Sequence, residues 1–326
     1  MKLIRRISYL RNFYIFFLTL ILVILTSTTN TDALNFSENV LGKVWGCGDI
    51  YRQLQLTNPP QSGDDILELE QRLMQLGFDP GKVDGVFDRQ TQAAVQMFQK
   101  EKKLEPSGVV TMSTWEALGE NCERQVSSQK TPPPEGAVKI VIDHDTLKLT
   151  VYADGKPYKE YPVAIGKSET PSPIGEWRII HKAVGWGTGF GTRWLGLNVP
   201  WGIYGIHGTN KPWSIGTAAS HGCFRMFNRH VEEIFPWVKI GTPVIVKGTV
   251  HGLSKRPLKV GATGQDVVIV QLKLREEKLL WTPADGRFGP ATERALKLYQ
   301  LLNGLPATGQ VDQSTWNLIL PEGGRQ

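Results

Sequence analysis

The segment that begins at Gly63 is met a second time at Gly264, in register and without a gap, so any fold for this chain must hold the same small unit twice. Gly63, Asp65 and Leu73 recur as Gly264, Asp266 and Leu274, and Asp84-Gly85-Val86-Phe87 recurs as Asp285-Gly286-Arg287-Phe288. Thr91, Ala94, Phe98 and Gln99 fall on Thr292, Ala295, Tyr299 and Gln300, Gly108 falls on Gly309, and Ser113-Thr114-Trp115 returns unchanged as Ser314-Thr315-Trp316. Apolar positions at helical spacing (Ile66, Leu69, Leu73, Leu76; then Ala94, Val95, Phe98; then Trp115, Leu118) predict three short helices per copy. The Asp-Gly pair supplies the turn between the first two helices, and Ser113 and Ser314 are placed to cap the third.

The two copies, 63–120 and 263–321, bracket a middle region of a different kind. Residues 121–136 form a polar spacer ending in Pro132-Pro133-Pro134, and 249–262 read as a second linker. Between them, 137–248 is strand-rich. Val138, Ile140 and Ile142 alternate with polar neighbours and the pattern resumes at Leu147, Leu149 and Val151, a hairpin with one buried face. Further runs fall at Tyr158–Ile165, Trp177–Ile180, Tyr204–Ile206 and Val244–Val246, with one helix at Asn228–Val238. The expected architecture is therefore multidomain: a mainly-β sandwich or barrel with long loops, between two small three-helix bundles. The second bundle is expected to be a tether whose removal leaves turnover of soluble substrate intact.

Ahead of all this, residues 1–33 read as an export signal. A basic head (Lys2, Arg5, Arg6, Arg11) precedes the apolar run Phe13–Leu25, which as a helix covers about 20 Å, short of the roughly 30 Å hydrocarbon core. Thr31 and Ala33 suit cleavage before Leu34, and the alternative is a retained inner-membrane anchor. The rest of the chain, beginning with 34–62, is then in the periplasm or cell wall, where disulfides form. Cys47 and Cys122 bracket the first copy, and a bond between them would close a loop of about 75 residues, worth about 4 kcal/mol by chain entropy. The net charge of +6 owes four positive charges to the first eleven residues, leaving too weak a field over the remainder for nucleic acid as a partner. Composition also excludes collagen, coiled coil and a polytopic membrane protein.

The chemistry is concentrated in Ile206-His207-Gly208-Thr209 and in Ser220-His221-Gly222-Cys223-Phe224-Arg225. An imidazole beside a thiol takes its proton and pairs with the thiolate, which makes a nucleophile. His207 and His221 both qualify, and the residue pattern alone does not choose between them. Gly222 lets the backbone approach a substrate, so the amides of Gly222 and Cys223 are candidates to face a developing oxyanion. Arg225 is a fixed cation suited to a substrate carboxylate. Trp213 stands in a loop, Asn210–Ala219, suited to excluding water. Trp186, Trp194 and Trp201 line either a cleft or the core. The glycine-rich run Gly185–Gly191 lacks the context of a phosphate loop.

These motifs resemble the L,D-transpeptidases of bacterial walls, the YkuD-type domain with its HG followed by SHGC[IV]R, from which this chain departs only at Phe224. Thr170-Pro171-Ser172-Pro173-Ile174-Gly175 and Ile240-Gly241-Thr242-Pro243-Val244 extend the likeness over 137–247, and the two repeats resemble small peptidoglycan-binding domains. The resemblance implies Cys223 as nucleophile and His207 as base, with His221 and Gly222 completing the catalytic set. It implies that Ser220, His221, Gly222 and Arg225 shape the oxyanion and substrate site and that peptidoglycan is the partner, with Thr209 and Trp213 as further candidates for substrate contact. It requires no cofactor or metal and leaves the oligomeric state open. The implied reaction expels D-alanine from a tetrapeptide stem through a thioester and passes the acyl group to the amine of a second stem. Rival readings are hydrolysis of the same thioester (a carboxypeptidase or endopeptidase), a zinc-dependent wall hydrolase, and an inactive wall-binding protein.

Overall fold

The computed structural model describes residues 52–120, 122, 131–185, 188–250 and 253–320. The N-terminal basic and apolar segment, Cys47, most of the Pro-rich spacer and Trp186 lie outside the described residues. The first copy of the repeat holds α1 (Asp64–Gln75), α2 (Arg89–Glu101) and α3 (Met112–Gly119), which bury Ile66, Leu69, Leu73, Ala94, Val95, Phe98, Trp115 and Leu118 against one another. Asp88 caps α2 by accepting from the amides of Gln90 and Thr91. The expected cap Ser113 lies inside α3, whose N-cap residue is Thr111. The Asp84-Gly85 turn needs glycine for its left-handed backbone (φ 76°). Its amides are held from below by the buried Glu70, whose Oε2 accepts from Asp84 N at 3.0 Å and Gly85 N at 2.8 Å.

The middle region is built from β1 (Val138–Asp143), β2 (Lys148–Ala153), β3 (Lys156–Pro162), β4 (Ile165–Gly166), β5 (Gly175–Val184), β6 (Arg193–Leu197), β7 (Tyr204–His207), β8 (Ala218–Ser220), β9 (Phe224–Arg225), the helix α4 (Asn228–Ile234) and β10 (Pro243–Lys247). Eight strands form one sheet in the order β3-β2-β1-β10-β5-β6-β7-β9, and β4 pairs with β8 alone. The sheet curls because β5 serves two neighbours: Gly175, Glu176, Trp177 and Arg178 pair with β10, then Ile179 to Val184 pair with β6 across a register shift. The hairpin expected from alternation is β1–β2, with Ile140, Ile142, Leu149 and Val151 fully buried. The run Tyr158–Ile165 divides into β3 and β4, and the expected helix ends at Ile234.

The second copy supplies α5 (Gln265–Glu276), α6 (Pro290–Leu302) and α7 (Gln313–Ile319). Asp312, ahead of the expected cap Ser314, caps α7 by accepting from Thr315 N at 2.8 Å. Gln271 replaces Glu70 under the Asp-Gly turn, with its Oε1 accepting from Gly286 N at 2.8 Å. Each unit also begins earlier than the ungapped repeat. Leu54 bridges Val110 and Leu258 bridges Val311, both leucines are buried, and Arg52 and Arg256 pair with Asp65 and Asp266. Thus the part of 249–262 around Arg256 and Leu258 is a piece of the second bundle and no linker.

Nor is the second bundle a tether. Val268 and Ala284 belong to the core of the strand-rich domain, and an added Cβ on Gly286 would stand 2.3 Å from the Trp201 ring. Gln265 clamps the backbone of Ile174, accepting from its N at 2.9 Å and donating to its O at 3.2 Å. Glu176 N donates to Ala284 O at 3.0 Å, and Arg275 pairs with the Glu176 side chain.

Candidate active site

The two sequence motifs meet where β7 and β9 run parallel, with Ile206 opposite Phe224 and His207 opposite Arg225. His207 is fully buried. Its ring stacks on Trp194 (centroids 5.6 Å, planes at 24°) and meets the edge of Phe190 at 5.0 Å. Cys223, also fully buried, packs against the same Trp194. The indole of β6 is thus the common wall of thiol and imidazole. His207 Nδ1 bonds the carbonyl of Gly208, which puts the ring proton on Nδ1 and the lone pair on Nε2.

A residue the sequence reading passed over holds this loop in place. Asn228, at the start of α4, accepts from Thr192 N and Thr209 N, both at 3.1 Å, and donates from Nδ2 to Thr209 O at 3.0 Å. Thr209 is buried by this clamp, and its Oγ1 accepts from Lys211 N at 3.0 Å. Asn228 was legible only as the first residue of a helix.

Around Cys223 the backbone is fixed by Ser220, whose Oγ donates to Cys223 O at 2.5 Å and accepts from Gly222 N at 3.1 Å. Gly222 has φ 112°, and a Cβ there would stand 2.8 Å from the Tyr204 ring. This corrects one expectation: the Gly222 amide points at Ser220 and not at an oxyanion position. Arg225 is wholly buried, with its backbone paired to Ala164 in both directions and Nη2 3.8 Å from Glu68 Oε1.

His221 and Trp213 are both engaged by the first bundle. His221 Nε2 lies 3.0 Å from Asp64 Oδ2, which Lys167 Nζ also reaches at 3.0 Å. The bond from Lys167, followed by that from His221, holds the Asp64 carboxyl below the usual carboxylate range. Trp213, expected at the substrate, instead stacks on Trp115 of the first bundle (6.0 Å, 19°) with the Arg72 guanidinium 5.3 Å from its ring. Trp194 packs against Cys223 and His207, and Trp201 packs on Trp177 at the edge of a cleft.

A cleft of about 830 Å³ opens beside His221. One wall is the Thr170-Pro171-Ser172 loop with Tyr204 and Trp201, and the other comes from the second bundle through Gln265 and Arg256. Burial raises the Tyr204 phenol above its ordinary value, so it stays protonated. His144, on the cleft and against Phe224 at 6.0 Å, is pushed down to about 4 by burial and is neutral at physiological pH.

The sulfur chemistry differs from expectation. Cys122 is a free thiol, its Sγ accepting from Arg72 Nη2 at 3.4 Å, so the expected Cys47–Cys122 bond is not made. Cys223 is disulfide-bonded. A disulfide sulfur is no nucleophile, and this state must be reduced before Cys223 can attack anything. Among the described residues no group of three or more His, Cys, Asp or Glu side chains could hold a metal ion, and no helix is long and apolar enough to cross a membrane.

Comparison with known proteins places this geometry. Residues 137–246 match the family described as the YkuD L,D-transpeptidase catalytic domain, and 62–118 and 263–319 each match a peptidoglycan binding domain family. YkuD of Bacillus subtilis, named for L,D-transpeptidase activity, is 45% identical over 107 residues, which is 33% of this chain and 64% of that protein. The match therefore spans less than two thirds of YkuD. YqjB of the same organism, similarly named, is 33% identical over 129 residues, 35% of this chain and 73% of its own. The crystal structure of an L,D-transpeptidase from Xylanimonas cellulosilytica is 27% identical with a TM-score of 0.30, over 61% of this chain and 98% of that one. The chain belongs to the L,D-transpeptidase family, with a peptidoglycan-binding domain on each side of the catalytic domain.

Proposed function

We propose that this chain is a thiol-dependent L,D-transpeptidase that cross-links peptidoglycan outside the cytoplasm. The observation that carries the reading is the meeting of Cys223 and His207 on Trp194, with the His207 tautomer that leaves a lone pair on Nε2. In the reduced enzyme, His207 Nε2 takes the thiol proton as Cys223 Sγ attacks the carbonyl of the third residue of a tetrapeptide stem. The C–N bond to the terminal D-alanine breaks, and the imidazolium returns its proton to the departing amine. The side-chain amine of a second stem then attacks the thioester, forms the new amide and restores the thiol. The energy of the broken amide is kept in the thioester, so no nucleotide is consumed.

Burial of both groups supports transfer over hydrolysis, because a thioester formed there is shielded from bulk water. Ser220 orients the nucleophile's backbone, Asn228 the base's loop, and Arg225, two residues beyond Cys223, holds a buried positive charge facing Glu68. His221 is a rim residue in this reading, and Thr209 acts through the loop it anchors. The flanking bundles supply affinity for the wall.

The test is mass spectrometry of products after mixing reduced chain, and its Cys223→Ala variant, with purified disaccharide tetrapeptide stems. A Cys223-dependent dimer lacking one D-alanine is expected. D-alanine release without a dimer would replace transfer by hydrolysis, and no Cys223-dependent product would refute the reading.

A further inference from the structure

Three cations and one imidazole converge on the rim of the catalytic centre from separate pieces of chain. Lys167 follows β4, Lys211 follows the His207 loop, and His221 and Arg225 stand on either side of Cys223. All four are answered by two carboxylates from another domain. Asp64 takes Lys167 and His221, and Glu68 takes Lys211 and faces Arg225. Asp64 and Glu68 are four residues apart on α1, hence on one face of that helix. The inner pair is dry: side-chain exposure is 12% for both Lys211 and Glu68 and 0% for Arg225, whereas Asp64 at the outer edge is 52% exposed.

We propose that Lys167, Lys211, His221 and Arg225 form a receptor for peptide carboxylates beside Cys223, and that Asp64 and Glu68 of the first bundle occupy it as an internal competitor of the substrate. The argument rests on the reading of this centre as one that works on carboxylate-ended stem peptides. Glu68 presents an anion to the largely buried Lys211 and Arg225, and an anion in its place meets the same two cations in a low-dielectric setting. A stem peptide brings one, on the D-alanine that departs. The side chains on either side of the nucleophile, His221 and Arg225, are the ones that α1 holds, so the docked helix and a bound carboxylate exclude each other.

The docking is of a kind that can exchange. It includes those ion pairs, the Trp115–Trp213 stack with Arg72 over Trp213 and Lys211 over Trp115, and the close approach of Pro212 to Gly119, where an added Cβ would lie 2.6 Å from Cγ. The catalytic domain reaches the core of the first bundle through the partly buried Trp213, whereas the second bundle places Val268 and Ala284 in the catalytic core itself. The first bundle thus covers these side chains, and the second walls the cleft beside His221.

The test uses the full chain carrying Cys223→Ser, with and without Asp64→Asn/Glu68→Gln. Each protein is titrated calorimetrically with an acetylated tetrapeptide stem ending in D-alanine and with the same peptide as its C-terminal amide. If α1 is docked about nine-tenths of the time, removing its charges tightens the acid peptide about tenfold, and the amide not at all. The single Glu68→Gln variant moves the same way by less. Equal affinity of the acid peptide for parent and double variant, or an equal gain for the amide, overturns the proposal. The proposed reaction fails separately: if the reduced Cys223 chain releases no D-alanine while the charge variants still gain acid-peptide affinity, the competition stands and the reaction falls.

Discussion

Replacing Asn228 by alanine isolates the part of the account that concerns the base. The side chain makes three hydrogen bonds to backbone at Thr192 and Thr209, on the loop that carries the His207 Nδ1 partner Gly208. Alanine leaves two amides and one carbonyl without that partner in a part-buried site. At about 1 kcal/mol for each lost bond, the folded state should lose about 2–3 kcal/mol. The consequence for chemistry is orientational: once Gly208 is released, His207 Nε2 is no longer aimed, and a misplacement of about 1 Å costs up to about a hundredfold in rate. We expect kcat for D-alanine release to fall about 10- to 100-fold with KM within about threefold, since the Asn228 side chain is committed to backbone at Thr192 and Thr209. Steady-state release should be measured at a temperature where thermal unfolding shows the variant fully folded. A kcat within twofold of the parent, together with the lowered melting temperature, would refute the idea that the clamp positions the base.

Three other outcomes follow from the structure. Burial raises the Glu70 carboxyl above its usual range, against the lowering by its bonds to Gly85, Thr91 and Asp84, so the folded state holds that proton to higher pH than the unfolded chain does. Stability of the first bundle therefore falls as pH rises from the unfolded value toward the raised folded one, and Glu70→Gln, which copies Gln271, should flatten that dependence in thermal melts between pH 4 and 7. An unchanged slope would contradict the assignment. Because Cys223 is disulfide-bonded and Cys122 is free, reductant should switch D-alanine release on while Cys122→Ser leaves it unaltered; full activity of the oxidised chain would contradict this. Removing 253–320 uncovers Trp201 and takes Val268 and Ala284 from the catalytic core, about 2–3 kcal/mol of apolar burial, so the truncated chain should melt earlier and lose turnover of soluble stems. Retained turnover with an unchanged melting temperature would make the second bundle a tether after all.

Much of the molecule was legible in the sequence because the signal was local. The Asp-Gly turns, the helical spacing of the repeats and the β1–β2 alternation each depend on near neighbours. The histidine and cysteine motifs required only one strand pairing, β7 with β9, to become a site. What escaped depended on distance or on burial from both sides. The leading segment of each bundle was hidden because Arg52 lies 13 residues before Asp65, whereas Arg256 lies 10 before Asp266, and an ungapped comparison cannot align them. β6 did not read as a strand because Trp194 to Leu197 are buried without alternation. The role of Trp213 was misread because its partner Trp115 belongs to another domain, and the contact of His221 with Asp64 spans 157 residues. No periodicity encodes such pairs; they follow from how the first bundle docks.

The central claim is that Cys223 becomes acylated by a stem peptide. Reduced chain should be mixed with tetrapeptide stems lacking an acceptor amine, quenched in acid, digested, and its peptides weighed by mass spectrometry. The account predicts that the peptide containing Cys223 gains the mass of the stem minus D-alanine, that hydroxylamine removes the adduct, and that His207→Ala abolishes it. An adduct on Cys122, or D-alanine release with Cys223 unmodified at every quench time, would contradict it.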